Sequence, residues 1–165
     1  MSHKISLNLS VGSVEAAITE LKRLKEEIRF KNSIFVQKLA EAGLVVATET
    51  ERVSGDAPTV VYSDNGSVTR ATLVLSGKGV AFVEFGAGVH YNGAGGSSPN
   101  PHGQRLGMTI GSYGKGQGLN DYWFYFDEEQ NKVRKSYGTK ATMPLAKADE
   151  AMRRRFYDIA KEVFG

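Results

Sequence analysis

Glycine is concentrated in one part of this chain, and that constrains the fold more than any other feature. Of 19 glycines, 11 lie between Gly86 and Gly118. They follow directly on the apolar run Ala81-Phe82-Val83-Glu84-Phe85. Glycine loses more backbone freedom on folding than any other residue. A compact domain rarely carries a loop of this length unless it is functional or disordered. The expectation is therefore an apolar strand emptying into a long, flexible, glycine-rich loop over residues 87–120, within a single domain spanning 1–165.

The flanking sequence predicts helices and antiparallel strands. Lys4 to Ser10 alternates polar and apolar residues, the period of a half-buried strand. Ser13 is the expected N-cap of a helix carrying Val14, Ala17, Ile18, Leu21, Leu24 and Ile28. Ile34, Phe35, Leu39, Ala42 and Val46 form a second helical stretch, weakened at Gly43. With no proline between them, the two make one long amphipathic helix or a bent pair. Thr59–Tyr62 and Val68–Leu75 are rich in β-branched residues, and Asp64-Asn65-Gly66 is a turn signal between them. Strand character returns at Tyr122–Phe126 and Val133–Tyr137. The chain closes with an amphipathic helix: Thr142 can cap it, Pro144 suits its first turn, and Leu145, Ala148, Met152, Phe156, Ile159 and Val163 form its stripe. The pattern is α+β, with the last helix expected to pack on an antiparallel sheet.

Composition narrows the chemistry. There is no cysteine, so disulfides, cysteine nucleophiles and thiolate metal sites are excluded. Absence of cysteine fits a reducing compartment. Met1 to Ile5 shows no signal core, and no apolar run is long enough to span a bilayer. The net charge of +3 permits contact with nucleic acid without arguing for it.

No catalytic or cofactor motif survives a check of spacing. Gly86-Ala87-Gly88 lacks the third glycine and immediate helix of a dinucleotide fingerprint. Gly114-Lys115-Gly116 lacks the order of a phosphate loop. His90, His102 and Asp121 are too widely spaced for a zinc site, and Ser97 and Ser98 near His102 have no nucleophile elbow. His3 stands alone. Strand alternation would place Glu84 opposite Val83 and Phe85, exposed to solvent. Arg153-Arg154-Arg155 with Lys147 and Lys161 could face DNA phosphates, but Asp149, Glu150, Asp158 and Glu162 are interspersed. Tyr122-Trp123-Phe124-Tyr125-Phe126 puts aromatic residues on both faces of one strand, which suits a protein contact.

Two segments carry a family resemblance. Ala81-Phe82-Val83-Glu84-Phe85-Gly86-Ala87-Gly88 and Gly138-Thr139-Lys140-Ala141-Thr142-Met143-Pro144-Leu145-Ala146-Lys147-Ala148 resemble the middle and closing elements of the tail-completion, or head–tail joining, proteins of long-tailed bacteriophages. Ala87 stands for the usual threonine. Ala57-Pro58-Thr59-Val60-Val61 lacks the Thr-Gly-x-Leu continuation often found in that family. The resemblance implies no enzymatic activity and no cofactor. It implies a structural protein of the virion neck, assembled in the host cytoplasm as a homo-oligomeric ring, six-fold, through which DNA could pass. Its partners would be the head connector or completion protein and the tail terminator or tube. On this reading residues 87–120 order on assembly. The contact candidates are Glu84, Phe85, Gly86, Gly88, His90, Tyr91, Tyr113, Trp123 and Tyr125. A small basic nucleic-acid-binding protein using the last helix is the alternative, and a hydrolase using His90 or His102 a third option.

Overall fold

The computed structural model describes residues 8, 10–50, 57–77, 79–108 and 121–165. Residues 4–7 and 9 of the expected Lys4–Ser10 strand, His3, and Gly114-Lys115-Gly116 with Tyr113 lie outside the described residues, while Asn8 and Ser10 are not in a strand. The fold is α+β: a long N-terminal helix, two antiparallel two-stranded sheets and a C-terminal helix.

The first helix, α1 (Val11–Thr50), is continuous, so the pair of helical stretches is one element. Its cap is Ser10 rather than Ser13. Ser13 N–H donates to Ser10 Oγ (3.3 Å), while Ser13 Oγ accepts from Asn8 N–H (3.0 Å). Ser13 thus ties the chain just before the helix, at Asn8, back onto its first turn.

Strands β1 (Thr59–Asp64) and β2 (Thr69–Val74) pair antiparallel, with Thr59 opposite Val74, and lie against α1. The turn is built as its residues suggest. Asp64 Oδ1 accepts from Gly66 N–H (2.7 Å), and Asn65 Oδ1 accepts from Val68 N–H (2.8 Å).

Residues 80–85 depart from expectation. They form a short helix, α2 (Val80–Phe85), and not a strand. A six-residue apolar run between glycines fits either period. Tertiary contacts decide: the helical turn places Val83 and Glu84 side by side, both buried, against the start of the last helix. Without this central strand, β3 (Trp123–Asp127) and β4 (Lys132–Ser136) form a second hairpin separate from the first.

The last helix, α4 (Pro144–Phe164), packs antiparallel on α1 and not on a sheet. Phe35 meets Phe156 edge-on at 5.2 Å and Phe164 at 5.7 Å. Lys38 pairs with Glu162 at 2.5 Å. Gly43 faces α4, and a Cβ there would be 2.9 Å from Met152 Sδ, so a side chain at this position would require Met152 to shift.

Candidate functional site

A cluster of buried residues lies inside the glycine-rich segment. Between Ala87 and Met108 the chain makes a 3-10 turn (Gly88–His90), a series of tight turns and a short helix, α3 (Pro101–Arg105). Tyr91, Ala94, Asn100 and Gly103 are buried there, together with Val83, Glu84, Ala87 and Pro144.

Glu84 is at the centre of this packing. It is 5% exposed, which corrects the expectation of a solvent-facing carboxylate. Oε1 accepts from Asn100 Nδ2 (2.7 Å) and Ala146 N–H (3.0 Å), and Oε2 from Leu145 N–H (2.9 Å). Leu145 and Ala146 belong to the first turn of α4, whose N–H groups have no partner within the helix. The residue at the helix boundary, Met143, has φ 58° and provides no side-chain cap. Thr142, expected to cap, instead directs its hydroxyl towards Val83 O at 3.5 Å. Glu84 thus caps α4 from a distant part of the chain, where a carboxylate also complements the positive end of the helix dipole.

Further bonds fasten the same junction. Val83 O accepts from Thr142 N–H (2.9 Å) and Met143 N–H (3.2 Å). Ala87 and Thr139 form an isolated antiparallel bridge, with Ala87 N–H donating to Thr139 O at 2.8 Å. The Glu84 and Asn100 side chains interlock, because Asn100 Oδ1 also accepts from His102 N–H (2.9 Å) and caps α3. Asn100 is fully buried.

The contact candidates divide sharply by position. Glu84, Gly86, Gly88 and Tyr91 are buried inside the chain's own fold. Gly86 ends α2 at φ 79°, and Gly88, at φ 66°, lies beneath the Trp123 ring. Phe85 is half-buried against α3, near where a Cβ on Gly103 would fall. His90 Nδ1 bonds to Gly95 O, and the Tyr91 hydroxyl bonds to Met108 Sδ. Trp123 is half-buried and Tyr125 exposed. Tyr113 lies outside the described residues.

The outer face of the second hairpin belongs to the aromatic run that suits a protein contact, although Phe124, Phe126 and Val133 are not among the named contact candidates. Phe124, Phe126 and Val133 are each more than half exposed. Beside them Lys135 Nζ sits 3.6 Å from the Tyr122 ring centre. Alternation along β3 separates these side chains from Trp123, which turns inward. Asn100 was also missed, although Asn100-Pro101 is a helix-start signal.

The remaining chemistry is local. Arg153 pairs with Asp149 at 2.9 Å and Arg154 with Glu150, so two of the three adjacent arginines are matched within α4. His102 bonds to Arg105. Among the described residues no three His, Asp or Glu side chains could hold a metal ion, and no helix is long and apolar enough to cross a membrane. A groove of about 520 Å³ runs between α1 and the first hairpin, past Arg29, Phe30, Ser33 and Asp64. Asp64 is already engaged there by Gly66 N–H and the Thr69 hydroxyl, which hold its carboxyl below the usual range. No protein-family model, curated protein or solved structure matches the chain.

Proposed function

We propose that this protein is a structural component of the neck of a long-tailed bacteriophage or prophage, acting in tail completion and head–tail joining without catalysis. One observation carries the reading beyond the sequence resemblance. The two segments on which that resemblance rests, 81–88 and 138–148, meet as one unit through Glu84, Val83, Ala87 and Thr139. Residues of both motifs have structural tasks there, which supports treating them as one element, although residues 80–85 form a helix where the resemblance implies a strand.

The surface around that unit suits assembly. Contiguous exposed apolar residues on a small protein mark contact sites, and the outer face of the second hairpin carries Phe124, Phe126 and Val133. In this reading the chain forms a six-fold ring, with the head connector on one side and the tail terminator or tube on the other, and DNA passes through it. It is located in the virion neck after assembly in the host cytoplasm.

The test is genetic and structural together. Disrupting the gene in the phage or prophage that encodes it should leave DNA-filled heads and finished tails that fail to join, visible by negative-stain microscopy. Intact, infectious virions from the disrupted strain would reject the proposal.

A further inference from the structure

The N-terminal half of α1 carries an apolar seam whose larger a-position side chains are exposed, while Ala17 is buried and Leu24 half-buried. Val14, Leu21 and Ile28 stand seven apart, with Ala17 and Leu24 between them, the a and d positions of a heptad pattern. Val14, Leu21 and Ile28 are 42%, 54% and 46% exposed. Two further steps of seven from Ile28 reach Phe35 and Ala42, and the d series continues through Lys31, Lys38 and Val45. Phe35 and Lys38 are the residues that meet Phe156, Phe164 and Glu162 of α4, and Ala42 and Val45 line the same α1–α4 groove. The exposed seam is therefore the straight continuation of an established helix–helix interface. α4 ends at Phe164, alongside Phe35, and the seam extends beyond that end for about 30 Å at 1.5 Å per residue.

We propose that this seam docks against the same seam of a second copy of the chain, with the two α1 helices parallel and in register. Charge decides both partner and direction. Glu20 and Glu27 occupy g positions and Lys25 an e position. Parallel pairing faces each g residue with the following e residue of the other helix, so Glu20 meets Lys25 on both sides of the seam. Antiparallel pairing faces g with g and sets Glu20 against Glu27, a like-charge contact repeated twice. Arg23 of the same helix bonds both Glu20 oxygens, at 2.9 and 2.6 Å, an exposed pair weak enough to exchange for Lys25 of the second copy. Lys25 has no ion pair among the described residues. The inference does not depend on the neck assignment, since it uses only α1.

Natural absence of cysteine makes the test direct. In the full chain, Leu21→Cys under mild oxidation should give a disulfide-linked dimer. Thr19→Cys, on the opposite side of the helix, should give several-fold less. Lys25→Glu should abolish trapping of the Leu21→Cys dimer, and adding Glu20→Lys to it should restore trapping. Circular dichroism confirms that each variant is folded. The proposal is overturned if Leu21→Cys traps no more dimer than Thr19→Cys. It is also overturned if a mixture of Leu21→Cys and Leu24→Cys links faster than either alone, the antiparallel signature, or if the charge exchange fails to restore trapping.

Discussion

The Glu84 carboxylate accepts a hydrogen bond from Leu145 N–H at 2.9 Å, across 61 residues of sequence. It does for α4 what a neighbouring serine or aspartate does for most helices. Removing it leaves Leu145 N–H and Ala146 N–H unsatisfied and Asn100 Nδ2 with only the long 3.5 Å bond to Glu84 O. Glu84→Ala should therefore destabilise the fold by about 2–4 kcal/mol, well above the usual loss of a helix cap. Glu84→Gln keeps one acceptor and turns an amide towards Leu145 N–H, so its cost should be smaller, about 1–2 kcal/mol. Urea unfolding with an unchanged m-value measures both. A loss below about 0.5 kcal/mol for Glu84→Ala would show that the cap is dispensable.

Gly88 combines φ 66° with a Cβ direction that points into the Trp123 ring. Gly88→Ala should cost about 2–4 kcal/mol, from backbone strain and overpacking together. Trp123 is the only tryptophan, so its fluorescence reports the displacement directly. Emission should shift to longer wavelength as the ring moves into water. An unshifted spectrum with unchanged stability would refute the packing described.

Asp127 closes the second hairpin. Its carboxyl is held below the usual range, first by Gln130 N–H and then by Arg134. A carboxylate with a depressed folded-state pKa stabilises the fold above its ordinary pKa of about 3.9, and that stabilisation fades as pH falls through the lower folded value. Asp127→Ala should therefore weaken the hairpin at neutral pH and make no difference in strong acid. Amide hydrogen exchange on β3 and β4 at the two pH values tests this. An equal effect at both would exclude the carboxylate as the cause.

Phe124 and Phe126 are exposed on the outer face of β3. Replacing both with serine should leave the unfolding midpoint nearly unchanged, within about 0.5 kcal/mol per site. If this face meets a neighbour in the neck, the same variant should fail to complement a disrupted gene. Full complementation by a normally folded variant would remove this face from the proposed contacts.

The sequence disclosed what depends on near neighbours. The Asp64-Asn65-Gly66 turn, the α1 stripe and the Pro144 start of α4 all follow from residues a few positions apart. It concealed what depends on distant ones. Val80–Phe85 became a helix because Glu84 had to reach Leu145, and no local period records that demand. Gly43 looked like a weakness in a helix until Met152 crossed it. Asn100 was legible as a cap before Pro101, but its burial follows from Glu84, sixteen residues earlier. The glycine-rich segment was read as a loop from composition alone. In the structure Gly88, Gly93, Gly96 and Gly103 allow close packing, with Trp123 seated on Gly88.

Two anchors give this arrangement a further property. Asn92 Nδ2 binds Met108 O at 2.7 Å, and Trp123 rests on Gly88. Both lie on one short stretch, Gly88 to Asn92, so Met108 and Trp123 are anchored at a single patch. Residues far apart in sequence thus take their positions from the same few residues, and a change within that stretch is felt by α3 and by the second hairpin together.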